Sequence, residues 1–151
     1  MKNYIFFLIC LLFLNNCGFT PIYSNKNSSF KIIDIEKNIN NSLTNYVENN
    51  VLNFSSNEAP KSFKMLINLE ENITVILKDK KGDPSKNNIE VLVELTLIED
   101  DENVKRSQTF RENFIYNVSD NKFELKEYEK NIKQNLIEEI TSQILIYLTA
   151  S

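Results

Sequence analysis

The chain has 151 residues, 42% of them hydrophobic and 25% charged, with a net charge of −4. That suffices for one domain with a modest core, and the negative balance offers no basic field for nucleic acid. The absence of histidine removes Ser-His and Cys-His catalysis and the commonest metal ligand.

The N-terminus reads as a targeting segment. Lys2 is followed by an apolar run, YIFFLICLLFL, from Tyr4 to Leu14. This is about half of the ~20 residues that a membrane-crossing helix needs, and it fits the core of a secretory signal peptide. The stretch ending in Cys17 resembles a bacterial lipoprotein signal. Leu14 stands three places before the cysteine, as in that pattern, and Asn15 and Asn16 occupy positions where it prefers Ala, Ser or Gly. The resemblance implies removal of residues 1–16 and lipidation of Cys17. An ordinary signal peptide is the alternative. It would leave Cys17 as a lone thiol in an oxidising compartment, because Cys10 departs with the signal, and lipidation removes that liability. Each buried acyl CH₂ contributes about 0.8 kcal/mol, so a multiply acylated cysteine anchors the protein to a membrane without spanning it. Gly18 stands where enteric-type sorting places an Asp to retain proteins at the inner membrane, which favours the outer membrane.

Residues 17–29 form the lipidated start and a tether, and residues 30–151 a single domain. FKIIDIE (30–36) reads as a strand. Ile39, Leu43, Tyr46, Val47, Val51 and Phe54 recur at helical spacing, with Asn38 as the expected cap. After SSNEAP, Phe63, Met65, Ile67, Leu69, Ile73, Val75 and Leu77 share one parity, broken by Glu71, where a bulge is expected. A turn at Gly82-Asp83-Pro84 leads to a second alternating run, Ile89 to Leu97, and EDDEN (99–103) forms an acidic turn. In the last strand Phe110, Phe114, Tyr116 and Val118 share a side with Arg106, Gln108 and Glu112, so its start looks exposed or edge-like. Ser119 or Asp120 is expected to cap a long final helix striped by Leu125, Tyr128, Ile132, Leu136, Ile140, Ile144 and Leu148. The order β-α-β-β-β-α gives an α+β fold, a single sheet of about four strands with two helices on one face. The other face carries Glu, Thr, Asn and Lys and faces solvent or a partner.

No catalytic motif, phosphate loop or zinc pattern is present, so an enzyme is not expected, nor any metal or cofactor. The Asp100-Asp101-Glu102 cluster reads as a solvated turn. Lys78, Lys80, Lys81 and Lys86 surround the turn at Gly82, where Asp79 and Asp83 leave a net local charge of +2. They read either as a soluble hairpin tip or as a contact for an anionic partner such as lipopolysaccharide phosphates. Lys105, Arg106 and Arg111 form a second, weaker candidate.

The lipoprotein signal, the start Cys17-Gly18-Phe19-Thr20-Pro21-Ile22-Tyr23 and the element order together resemble the LPS-assembly lipoprotein family, LptE, in its alphaproteobacterial form. The resemblance implies a non-catalytic plug inside the outer-membrane β-barrel LptD that assists barrel assembly and lipopolysaccharide delivery. Of the functional residues, only Cys17 is carried over by motif position. An adaptor or substrate-binding lipoprotein of another envelope transport system is the alternative.

Overall fold

The computed structural model describes residues 29–99 and 105–150. The signal segment, the Cys17 start and the acidic cluster at 100–102 lie outside the described residues.

The elements follow the expected order: β1 (Phe30–Lys37), α1 (Ser42–Phe54), β2 (Lys61–Lys78), β3 (Pro84–Glu99), β4 (Lys105–Asn117) and α2 (Lys122–Ala150). They form one sheet in the order β1-β2-β3-β4. β1 runs parallel to β2, as a strand–helix–strand crossover through α1 requires, and the other two pairings are antiparallel hairpins. β4 is an edge strand, as its polar interruptions suggested.

Alternation places Phe63, Met65, Ile67 and Leu69 of β2 and Ile89, Val91, Val93, Leu95 and Leu97 of β3 on one face, each at most 1% exposed. Both helices cover that face. Leu43, Val47 and Val51 of α1, and Ile132, Leu136, Ile137, Ile140, Ile144 and Leu148 of α2, join the same core. Ile39 precedes α1 and Ile146 faces outward, so both are exposed, as is Phe123. The opposite face is laced by polar pairs: Thr96 with Ser107 at 2.8 Å, Asn68 with Glu94 at 3.5 Å, and Arg111 with Glu90 at 3.7 Å.

Three local expectations are corrected. The cap of α1 is Asn41, not Asn38. Its side chain accepts from Leu43 and Thr44 N–H, and the Thr44 hydroxyl takes the Asn41 N–H in return. Asn38 instead closes the β1 edge: its amide accepts from Leu69 N–H at 3.0 Å and donates to Leu69 C=O at 3.1 Å. The cap of α2 is Asn121, whose carboxamide oxygen accepts from Phe123 and Glu124 N–H, while Ser119 supports Asn121 itself. In both helices the side chain nearest the first turn makes the cap. No bulge occurs at Glu71, where the β2–β3 register is continuous; the shifts fall between Val75 and Lys78, and another in β1 between Ile32 and Asp34.

Contacts at its two ends show that α2 crosses the sheet diagonally. Near its start, Glu129 accepts from the Tyr116 hydroxyl at the far end of β4. Near its end, the Thr149 carbonyl accepts from Ser29 beside the start of β1. α1 fills the space beside it. Its first turn lies over Glu71, through Asn41 Nδ2 at 3.5 Å, and its C-terminal end returns to β1, where Ser55 Oγ accepts from Ile32 N–H at 2.8 Å.

Candidate functional site

A diagonal helix leaves two corners of a sheet face bare. One is the start of β4, where Arg106 and Gln108 point toward the helix side. The other is the far end of β2, beyond Glu71. Here Ile73 is 45% and Val75 48% exposed, and the adjoining Ile76 and Leu77 are 45% and 52% exposed. Cover stops at Glu71 because β1 ends opposite Ile67, Asn38 closes Leu69, and the first turn of α1 begins at Asn41 beside Glu71. The Glu71 carboxylate marks the boundary by pairing with Lys133 of α2 at 2.7 Å, at the floor of an open groove of about 520 Å³ between the helices.

The lysines lie directly beyond this apolar corner. Asp79 builds the turn at the tip: its Oδ1 accepts from Lys81 N–H at 2.8 Å and from Asp83 N–H at 2.9 Å, and Asp83 C=O accepts from Asp79 N–H at 2.8 Å. Gly82 closes the turn at φ +90°, a conformation that L side chains rarely adopt. The Asp79 carboxylate is thus turned onto backbone N–H groups. Among the described residues no ion pair engages Lys78, Lys80, Lys81 or Lys86, and the first three are exposed. The tip therefore presents cations above an exposed aliphatic band, a layout suited to an amphiphile with an anionic head.

Arg106 and Arg111 do not join this cluster. Arg106 pairs across the sheet with Leu97, about 36 Å along β3 from Lys86. Its guanidinium is held by Glu99 and lies 5.7 Å from the centre of the Phe63 ring. Arg111 lies beside Leu92, about 20 Å from Lys86, on the opposite face and paired with Glu90. Arg106 is engaged by intramolecular partners, whereas Arg111 stays more than half exposed beside Glu90. Lys105 is exposed at the same end as Arg106.

The sequence reading did not identify Ile73, Val75, Ile76 and Leu77 as surface. Its signal was present in Glu71, the charged residue interrupting the apolar parity. The shift beyond Val75 also sets Leu77 opposite Lys86, so strict alternation no longer assigns its face.

Behind the corner, the Tyr116 hydroxyl donates to Glu129 and accepts from Asn87 Nδ2 at 3.3 Å, while its ring meets Tyr128 edge-on at 6.0 Å. Burial, followed by the hydrogen bond to Glu129 and the charge of that carboxylate, pushes the phenol up to about 12; the Asn87 bond opposes the rise. Among the described residues there is no cluster of metal ligands, and no helix is long and apolar enough to cross a membrane.

The chain has the fold of a set of small bacterial lipoproteins. It superposes on rare lipoprotein B from Shewanella oneidensis with a TM-score of 0.59 and 12% identity, covering 80% of this chain and 94% of that one. For an uncharacterized lipoprotein B from Nitrosomonas europaea the values are 0.62, 12%, 83% and 88%. A minor lipoprotein from Acinetobacter baumannii gives 0.56, 13%, 80% and 92%. No protein-family model and no curated protein matches the sequence.

Proposed function

We propose that this chain is a lipid-anchored, non-catalytic assembly factor of the LptE kind. In this reading Cys17 carries the anchor at the outer membrane. The folded domain sits on the periplasmic side or within the lumen of the β-barrel LptD and assists lipopolysaccharide transport and insertion. The observation that carries the reading is the likeness, over 80% of the chain, to rare lipoprotein B, the protein also called LptE. The Cys17-Gly18-Phe19 to Tyr23 start adds a sequence resemblance to that likeness of fold.

The surface chemistry supports the reading. A barrel lumen is polar and wet, and the sheet face opposite the helices is laced with exposed polar pairs that such a lumen tolerates. Lipopolysaccharide joins phosphates to acyl chains. Lys78, Lys80, Lys81 and Lys86 would meet the phosphates while Ile73, Val75 and Ile76 meet the chains. Charge attraction at an exposed tip is screened by salt within about 10 Å at 0.1 M, so the aliphatic band supplies the contact that salt does not remove.

The decisive experiment is extraction of the tagged full chain in mild detergent. Co-isolation of a large β-barrel protein is the expected result. Recovery of the chain alone would sink the barrel reading and leave the adaptor alternative. For the ligand, replacing the four tip lysines by Gln should weaken binding to lipopolysaccharide micelles at least tenfold at low salt; unchanged binding would remove the tip from the site.

A further inference from the structure

The apolar corner of β2 is also an open sheet edge. β1 pairs with β2 only as far as Ile67, and the Asn38 amide takes the next exposed position, Leu69. Backbone groups alternate sides along a strand. Since Ile67 C=O and both Leu69 groups point toward β1, those of Glu71, Ile73 and Val75 point the same way. Among the described residues nothing pairs with them. Natural edges are blunted by charge, proline or brevity, yet Asn72 to Leu77, NITVIL, has no charge and no proline.

The segment is complementary to itself. Laid antiparallel on a second copy about Thr74, it sets Ile73 beside Val75, twice by symmetry, and Thr74 beside Thr74, all within the regular part of the strand before the shift beyond Val75. Aliphatic and Thr–Thr pairs are each favourable across antiparallel strands. The register also places both Ile73 and Val75 at positions where facing residues exchange N–H···O bonds, so the orphaned backbone groups are satisfied. We propose that the free edge centred on Ile73–Val75 pairs with the same edge of a second copy of this chain, joining two four-stranded sheets across a two-fold axis at Thr74. This association uses the corner that the barrel reading gives to lipopolysaccharide, so the two are alternative states of one surface, and the extraction and oxidation experiments read them separately.

In that register Thr74 faces its symmetry mate in a non-hydrogen-bonded pair, with Cα atoms about 4.5 Å apart, within disulfide range. The test is oxidation of the full chain carrying Thr74→Cys, with the parent chain setting the background from its own cysteines. Glu70→Cys is the control, because its mate would lie about 26 Å away. Disulfide-linked dimer from Thr74→Cys should exceed that from Glu70→Cys at least tenfold. Sedimentation of the unsubstituted protein should show a concentration-dependent dimer, and Thr74→Lys, which opposes two ammonium groups at the axis, should be monomeric at every concentration. Equal cross-linking from both cysteines, or an unsubstituted protein that stays monomeric throughout, would overturn the proposal. Cross-linking of Thr74→Cys to a different envelope protein would also overturn it and give the edge to a foreign strand.

Discussion

The two bare corners of the helix-side face answer the same problem in opposite ways. At the start of β4 the positions beyond the helix are Arg106, held by Glu99 and the Phe63 ring, and Gln108, which is open to water. At the far end of β2 they are Ile73 and Val75, which water does not favour. Sequence has therefore adapted one corner to solvent and left the other suited to an apolar contact. Apolar residues are common on surfaces when scattered singly. Here they are contiguous, bounded by Lys78, Lys80 and Lys81, and carried on an open strand edge, which is the surface both proposals rest on.

The comparison is broken first in the core between the corners. Leu95, fully buried between Ile67 and Gln108, should cost about 2–5 kcal/mol on replacement by Ala. Ile73→Ala, half-exposed on the same face, should cost less than about 1 kcal/mol. Urea unfolding of the two variants measures the difference, and equal losses would mean the far corner is covered.

A second test uses pH. The folded phenol of Tyr116 titrates at about 12 and the unfolded one near 10. Between those values the unfolded chain has lost the proton and the folded chain retains it, so stability falls as pH rises, by at most about 1.4 kcal/mol per unit. Below pH 10 the contribution is complete. Thermal melts at pH 9 and 11.5 should show this loss, and Tyr116→Phe should show less of it.

Smaller effects sharpen the boundary. Asn41→Ala removes the cap that starts α1 beside Glu71 and should cost about 1 kcal/mol in chemical unfolding. Replacing Lys78, Lys80 and Lys81 by Gln should change stability by no more than about 0.5 kcal/mol, since no intramolecular ion pair among the described residues is lost. A larger loss in melting experiments would show that the tip supports the fold.

Much of the architecture was legible in the sequence. Period-2 runs in β2 and β3 named the core face, and helical stripes named both helices, because backbone geometry alone sets those periods. The caps were displaced by one to three residues, since several Asn and Ser side chains compete and only the closed first turn selects among them. Of the six basic candidates, the tip lysines stayed together while Arg106 and Arg111 went to separate places. Their partners, Glu99 and Glu90, become visible only once the strand register is fixed.

By itself the sequence determined the element order, the single sheet and the side of each strand that is apolar, all consequences of local periodicity and turn chemistry. Tertiary structure alone decided which apolar positions are buried. Ile67 and Ile73 have the same character and the same parity on one strand. β1, α1 and the diagonal path of α2 enclose the first and end short of the second, and burial depends on what packs against a side chain rather than on its place in the pattern.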